Sequence, residues 1–324
     1  MINIAFAGFR HSHILGLYHT ALQNPEVNIV CCYEQDDAAR ALAEQSDQIV
    51  FNCRSYQEIL DNETIEAVAI GDYYGIRGQR IIAALRAGKH VICDKPICTN
   101  LDELETIEKL VQKKNLKLCC MLDLRYMPQT AKVCELIKHG KIGDIINVSF
   151  TGQHCLDYST RPGWYFEEGK HGGTINDIAI HGIDLVRMVT GKNLTKINCA
   201  KTWNAFASKT VQFKDCAQFM AEMDGISLLA DVSYAAPKFN GILPTYWDFY
   251  FWGTKGMLRF HLASRKIHIY QHEETVIECE PRSPEYLKDF IDEINNCTTM
   301  MNSFDLIESQ RQTLKIQKAA EENK

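Results

Sequence analysis

Apolar positions follow two different rhythms in the first third of the chain. Short apolar runs are separated by stretches in which apolar residues recur every three or four positions. The runs occupy residues 2–7, 27–33, 49–51, 67–70, 90–93 and 116–122. Runs of this kind predict strands covered on both faces, and the three-to-four spacing predicts helices between them. Strands that alternate with helices predict a parallel sheet of βαβ units.

After residue 122 the pattern changes. Helices are predicted over Pro128–His139 and Ile175–Thr190, each followed by a glycine. Extended segments without helices between them follow at 194–203, 216–223, 226–235, 246–252, 257–262, 266–271 and 275–279. Asp224-Gly225 is a strong hairpin signal, so these segments predict an antiparallel sheet. Two helices are predicted at the end, one opened by Ser283-Pro284 and one over 303–322.

The fold class that follows is α/β. A parallel-sheet domain over residues 1–122 precedes an α+β domain over 123–324, which carries a large antiparallel sheet and the C-terminal helices. A length of 324 residues suits two domains.

Charge and cysteine content limit the partners and the compartment. With 35 Lys and Arg against 41 Asp and Glu, the net charge of −6 gives no attraction for nucleic acid or anionic membranes. The 13 cysteines form no Cys-x-x-Cys motif, so buried free thiols in a reducing compartment are expected. No signal-like leader and no apolar run of about 18 residues is present. A cytoplasmic protein is predicted.

The residues that follow the predicted strands are candidates for cofactor binding, because ligands bind beyond the carboxyl ends of parallel strands. In strand order they are Gly8, Phe9, Arg10 and His11, then Glu34, then Gly71 and Asp72, then Asp94 and Lys95. Glu34 lies 34 − 8 = 26 residues after Gly8. An acid near this distance binds an adenosine ribose and repels a 2′-phosphate, which favours NAD over NADP.

The glycine turn departs from the usual dinucleotide fingerprint. Counted from Gly8, Arg10 and His13 stand where the second and third glycines are expected. Their side chains predict obstruction of a close approach by a pyrophosphate. The N-terminus of the following helix and the charge of Arg10 could still attract one.

Asp177 and His181 form the sharpest candidate pair for acid–base chemistry. Their i, i+4 spacing places them on one face of the predicted helix, after Gly172-Gly173. A carboxylate beside an imidazole can fix its tautomer and raise its basicity. A helix-surface pair without chemistry is the alternative.

Zinc ligation by histidines and an acid is an alternative interpretation. His11 and His13 could combine with Asp177 and His181, but nothing in the sequence brings the two groups together, so no metal is predicted. Trp164 and Tyr165 could stack on a sugar or anchor their loop.

Four segments resemble the glucose–fructose oxidoreductase/inositol dehydrogenase/MocA-like family. They are the lysine segment 84–96, Arg125-Tyr-Met-Pro128, the Asp-x-x-x-His segment 172–181 and the turn 252–256. The resemblance implies a Rossmann domain, then a domain with a large, mostly antiparallel sheet. It also implies hydride transfer between a nicotinamide, NAD in preference to NADP, and a hydroxyl-bearing carbon of a sugar, cyclitol or related polyol.

The resemblance also assigns roles to residues. Lys95 would hydrogen-bond the reacting hydroxyl, His181 would move its proton, and Asp177 would orient the substrate or the histidine. Arg125 is a further candidate for cofactor binding, and Tyr126 and Asn176 join Trp164 and Tyr165 as candidates for substrate binding. Asp94 stands in place of the family's usual glutamate, and Arg77 in place of a histidine.

Relatives often assemble through the open sheet, so a homodimer or homotetramer is expected. The alternatives are a non-catalytic NAD- or sugar-binding regulatory protein and a redox-neutral NAD-dependent glycoside hydrolase. A metal-dependent lyase or hydrolase is a further alternative.

Overall fold

The first sheet contains five parallel strands in the computed structural model, which describes residues 1–159 and 161–322. The strands are β1 Ile2–Phe9, β2 Val27–Tyr33, β3 Ala67–Gly71, β4 His90–Cys93 and β5 Leu118–Cys120. The helices between them are α1 His13–Gln23, α2 Asp37–Asp47, α3 Tyr56–Asp61, α4 Tyr74–Arg86 and α5 Leu101–Lys114. This arrangement confirms the predicted parallel α/β sheet.

In the strand order β2-β1-β3-β4-β5, the chain adds β2 on one side of β1 and β3 on the other, so a topological switch point lies between β1 and β3. The crevice at such a switch point is where ligands bind in open α/β sheets. Gly8 at the end of β1 and Gly71 at the end of β3 therefore flank the expected ligand position.

The strand predicted at Ile49–Phe51 is wrong. This segment adopts no strand, so the described sheet has five strands and not six. Instead of a ladder, the Asn52 side chain accepts a hydrogen bond from Cys32 N at 3.0 Å, and Cys53 N donates to Cys32 O at 3.2 Å. A side-chain bond thus replaces regular pairing at the end of β2.

The second sheet contains eight strands, in the order β13-β12-β11-β10-β6-β9-β8-β7. Its strands are β6 Ile145–Cys155, β7 Leu194–Trp203, β8 Cys216–Met223, β9 Ile226–Ala236, β10 Asp248–Gly253, β11 Gly256–His261, β12 Lys266–Tyr270 and β13 Glu274–Glu278. The neighbours pair antiparallel except β6 and β9, which are parallel. The mostly antiparallel sheet is confirmed.

Strand β6 lies in the middle of this sheet and was missed from the sequence. A weak signal exists, because buried Val148 and Phe150 alternate with more exposed Asn147 and Ser149. Gly152, Gln153 and His154 interrupt the run of strand formers, and they obscured the alternation.

The remaining helices are α6 Pro128–Lys138, α7 Ile180–Thr190, α8 Tyr286–Ile294 and α9 Ser303–Glu322. The helix predicted over Ile175–Thr190 divides, since Ile175–Ala179 is a π-helical segment that continues into α7. Such segments often occur at functional sites. No helix of the described residues is long and apolar enough to cross a membrane.

Two compact units divide the chain differently from the boundary predicted at 122/123. The first contains Met1–Met121, Gly169–Gly172 and Glu285–Gln310; the second contains Leu122–Glu168, Gly173–Pro284 and Arg311–Lys324. Helix α8 and the start of α9 thus belong to the parallel-sheet unit rather than to the second domain. One reason is that Leu118 N donates to Ser303 Oγ at 2.8 Å, and Ile97 N to Gln310 Oε1 at 2.8 Å.

Within the second unit, Gln317 caps the segment that carries Asp177. Its buried Oε1 accepts hydrogen bonds from Ile175 N at 3.0 Å and Asn176 N at 3.2 Å. A helix start leaves such N–H groups without partners in the helix itself, so a remote side chain completes it.

The variant Gln317→Met should lower the free energy of unfolding by about 1–3 kcal/mol, because it leaves buried donors unsatisfied. Urea unfolding followed by circular dichroism measures this change. Gln57→Met, on an exposed position of α3, is the control and should stay within about 0.5 kcal/mol of the wild type. Equal effects of the two variants would contradict the capping role.

Candidate active site

Two glycines allow close backbone contacts at the switch point. Gly8 has φ +83°, and a Cβ at this position would stand 2.6 Å from Asp72 N. A Cβ at Gly71 would stand 2.5 Å from Ile14 Cβ, so α1 packs directly on the end of β3. In the usual fingerprint the third glycine permits such helix–strand packing; here Gly71 permits it.

Arg10 and His13 are accommodated without backbone strain, since neither has a positive φ. Arg10 N and His11 N both donate to Gly71 O, at 3.1 and 3.2 Å. Arg10 Nη1 lies 2.6 Å from Asp36 Oδ2, which directs this side chain towards the start of α2. The turn therefore keeps its shape without the second and third glycines.

Glu34 is 1% exposed and faces the same turn. Its Oε2 accepts from Phe9 N at 2.5 Å and its Oε1 from Asp36 N at 2.7 Å. Burial raises the pKa of Glu34, although both backbone bonds favour the ionised form. A carboxylate has about four acceptor positions, so two remain for a ribose diol. Together with the close backbone at Gly8, this chemistry fits a dinucleotide.

Asp94, directly after the end of β4, interacts with several polar side chains at this edge of the sheet. It is fully buried, and its Oδ2 accepts from His11 Nδ1 while its Oδ1 lies 3.1 Å from His13 Nδ1. Burial alone would raise the pKa of Asp94, but charge interactions and hydrogen bonds with the two histidines hold it well below the usual value. Arg77 Nη2 lies 3.7 Å from Oδ2.

Arg77 binds the strand ends together. It is 0% exposed, and it donates to the carbonyl oxygens of Asp94, Pro96 and Asp72 at 3.0, 2.9 and 2.6 Å. Asp72 itself is nearly buried, and burial raises its pKa. Arg80 Nε lies 3.6 Å from the Asp72 carboxylate.

The ligand atoms of His11, His13 and Asp94 lie within 4.8 Å of one another, a spacing that a metal ion could use. Asp94 was not expected as the carboxylate of such a group. The adjacent Arg77 guanidinium opposes a divalent cation by like-charge repulsion. That the site holds no metal stays a prediction.

Lys95 is 6% exposed and lies beside this cluster. Its backbone N donates to Asp94 Oδ1 at 2.7 Å, and its Nζ lies 5.5 Å from the centre of the Tyr74 ring. The ring of His171 packs against the same tyrosine, with 5.7 Å between the two ring centres. The aromatic surroundings hold the ammonium group in a defined position.

The second unit holds the Asp-x-x-x-His pair. Asp177 is 2% exposed and accepts a hydrogen bond from the Tyr234 hydroxyl, which comes from β9. His181, at 7% exposure, packs edge-on against Trp247, with 5.8 Å between ring centres. Because Asp177 lies in the π-helical segment, the expected α-helical i, i+4 geometry does not apply to it.

Four residues assigned to the substrate are buried. Tyr126 and Asn176 are 1% and 0% exposed, and their contact with a substrate stays a prediction. Trp164 and Tyr165 are also buried, with ring centres 4.3 Å apart, as loop anchors would be.

Arg125, assigned to the cofactor, forms a buried ion pair with Asp184. Its Nε and Nη2 each lie 2.6 Å from a carboxylate oxygen of Asp184. This pair ties the segment before α6 to α7, and its role in cofactor binding stays a prediction.

The contact of Tyr234 with Asp177 was missed from the sequence. Tyr234 continues the alternation of buried residues along β9, which by itself predicts only a core position. Its hydrogen bond to Asp177 comes from the tertiary fold.

Comparison with known families decides the classification. A family model for an oxidoreductase family with an NAD-binding Rossmann fold matches residues 2–121, and a model for the GFO/IDH/MocA C-terminal domain matches residues 130–259. The chain belongs to the glucose–fructose oxidoreductase/inositol dehydrogenase/MocA family. The resemblance inferred from the sequence motifs is confirmed.

This chain is similar to several proteins whose names identify them as sugar or cyclitol dehydrogenases. It is 31% identical over 153 residues to the levoglucosan dehydrogenase of Pseudarthrobacter phenanthrenivorans, covering 46% of this chain and 39% of that one. It is 27% identical over 128 residues to an NADP(+)-dependent scyllo-inositol 2-dehydrogenase of Bacillus subtilis, covering 40% and 36%. The chain thus spans well under half the length of these curated relatives.

A solved structure titled as a levoglucosan dehydrogenase complex with NADH and levoglucosan has the same fold. Its TM-score is 0.82 at 19% identity, with 100% of this chain and 98% of the other covered.

Acidification should destabilise the folded protein through protonation of His11. Burial lowers the pKa of His11 from 6.5 to about 4. Between these values the unfolded chain binds the proton more readily, so stability is complete above the unfolded pKa and falls as the pH drops through this window. The relation between pKa and stability gives a loss of roughly 3 kcal/mol.

His11→Asn, which does not titrate, should flatten this part of the pH profile. Urea unfolding at several pH values between 4 and 7.5 measures the slope, and the difference from wild type reports the loss of the His11 imidazole together with its interaction with Asp94. His272→Asn, on an exposed position, should keep the wild-type slope. A wild-type slope in His11→Asn would show that this histidine is not buried neutral.

Proposed function

We propose that the protein is an NAD(H)-dependent oxidoreductase that transfers hydride between a nicotinamide and a hydroxyl-bearing carbon of a sugar, cyclitol or related polyol. The observation that carries the proposal is the arrangement of Gly8, Glu34 and Lys95 at the carboxyl ends of three strands around the switch point. The levoglucosan and inositol dehydrogenases among its relatives support the substrate class.

Glu34 supports the choice of NAD. Its ionised carboxylate would accept hydrogen bonds from a ribose diol and repel a 2′-phosphate. The competing consideration is the NADP-dependent relative. Arg10 could neutralise a phosphate, but its guanidinium already pairs with Asp36 at 2.6 Å.

A bound nicotinamide supplies the hydride donor or acceptor. The protein contributes the movement and placement of the proton. Lys95 would hydrogen-bond the reacting hydroxyl and favour its ionised form, and His181 would take the proton in oxidation and return it in reduction. Asp177, fixed by the Tyr234 hydroxyl, would accept a hydrogen bond from the substrate.

Calorimetric titration with NAD, NADH, NADP and NADPH tests the cofactor. We expect micromolar binding of the NAD pair and binding at least about tenfold weaker for the phosphorylated pair, because an ionised Glu34 would repel a 2′-phosphate. Glu34→Gln should reduce this discrimination, and Glu44→Gln, on an exposed face of α2, should not. Binding of the phosphorylated pair alone would contradict the role of Glu34; binding of none would favour a non-catalytic protein.

Substitution of the proton-handling residues tests the chemistry. Lys95→Ala and His181→Ala should each lower kcat by about two orders of magnitude or more, the scale for loss of a positioned acid–base group. Steady-state turnover on a substrate found by a sugar and polyol screen measures the effect. Lys113→Ala and His139→Ala, both at more exposed positions outside the proposed site, should leave kcat unchanged. A variant of Lys95 or His181 with near wild-type turnover would show that its assigned role is wrong.

A further inference from the structure

Arg161 has an unusual environment in the second unit. Its guanidinium carbon lies 5.1 Å from the centre of the Tyr165 ring and 4.9 Å from that of Tyr234. Both rings are buried, at 2% and 1% exposure. Stacking on aromatic faces holds a planar guanidinium while its N–H groups point outward in the plane. The position of the charge is therefore fixed before any ligand arrives.

Among the described residues, the Arg161 guanidinium donates a hydrogen bond to a backbone carbonyl and not to a carboxylate. Its Nη2 donates to the Cys155 carbonyl oxygen at 3.1 Å. In the part of the chain that the structure describes, no carboxylate lies within ion-pair distance of it; nearby Asp157 pairs with Lys238 at 2.8 Å instead. A guanidinium has five N–H donors in a fork that matches a carboxylate. A partly buried cation without a counter-ion gains most from an anionic ligand.

Tyr234 connects this cation to Asp177. The face of the Tyr234 ring carries Arg161, and its hydroxyl donates to the Asp177 carboxylate. Tyr246 experiences both charges: burial raises its pKa, and Arg161 and Asp177 act on it in opposite directions. A cation thus lies over the ring face of Tyr234, and a hydrogen-bond-accepting carboxylate lies at the hydroxyl of the same residue.

We propose that the substrate is a sugar acid, a polyhydroxylated compound whose carboxylate binds Arg161 while a hydroxyl binds Asp177. This inference rests on the proposed function in placing the substrate at Asp177. Arg161 is then the residue that determines specificity, since it distinguishes a carboxylate from the hydroxymethyl group of a neutral sugar. A neutral sugar would leave the cation without a counter-ion and bind more weakly.

Two matched pairs of probes test the proposal, D-glucuronate with D-glucose and D-gluconate with D-glucitol. Each pair differs in one carboxylate against one hydroxymethyl group. Calorimetry measures their binding to the full chain, with and without NADH. In at least one pair we expect the wild type to bind the acid about ten- to hundredfold more tightly, as charge-assisted hydrogen bonds imply.

Arg161→Gln should reduce the acid-to-neutral ratio to about one and leave the affinity for the neutral probe within about threefold. Arg161→Lys should retain part of the preference, because it keeps the charge and loses the fork. Arg265→Gln, an exposed arginine of the same unit, should keep the wild-type ratio. Where turnover is detected, the same ratios should appear in kcat/KM.

Three outcomes would overturn the proposal. They are tighter binding of the neutral probes, binding of neither acid at millimolar concentration, and an equal loss of both members of a pair in Arg161→Gln. The last outcome would make Arg161 a structural anchor of its loop. Failure of the proposed function is separate, because it appears as absence of dinucleotide binding while the probe ratios remain measurable.

Discussion

The arrangement of the strand ends around the switch point of the first unit depends on the buried carboxylate of Asp94. Removing an ionised carboxylate from water is costly unless it is paired and hydrogen-bonded. Asp94 is stabilised by His11 from the turn after β1, by Arg77 from α4 and by the backbone of Lys95. These groups come from three different segments, so satisfying one charge fixes the relative positions of all three.

This constraint explains how the turn accommodates His13 where the third glycine of the fingerprint is usual. A histidine at position 11 or 13 would be an obstruction if its side chain pointed at the ligand crevice. Both imidazoles instead turn to Asp94, and the close contact between α1 and the sheet is made at Gly71. The need for a small residue at a helix–strand contact is met on the strand, so the fingerprint can lose a glycine on the helix without losing the packing.

The fold could be predicted from the sequence to the extent that its elements are periodic and local. The five strands of the parallel sheet and seven of the eight strands in the second sheet have clear apolar patterns. Strand β6 was missed because its buried positions are separated by polar residues, and the segment 49–51 was mistaken for a strand because it is apolar. Whether an extended segment pairs depends on its neighbours, and here the Asn52 side chain accepts the hydrogen bond that Cys32 N donates.

The candidate site shows the same division between local and tertiary information. Lys95 and the Asp177–His181 pair have sequence motifs, but the partners that tune them do not. Asp177 meets Tyr234 only because β9 runs beside the π-helical segment, and Arg161 joins them from a loop without periodic pattern. In the roles proposed for them, the residues of general chemistry thus have sequence motifs, whereas the residue that selects the substrate comes from a loop. This difference follows from their physical roles: hydride and proton transfer need the same groups for every substrate, while charge complementarity changes with each one.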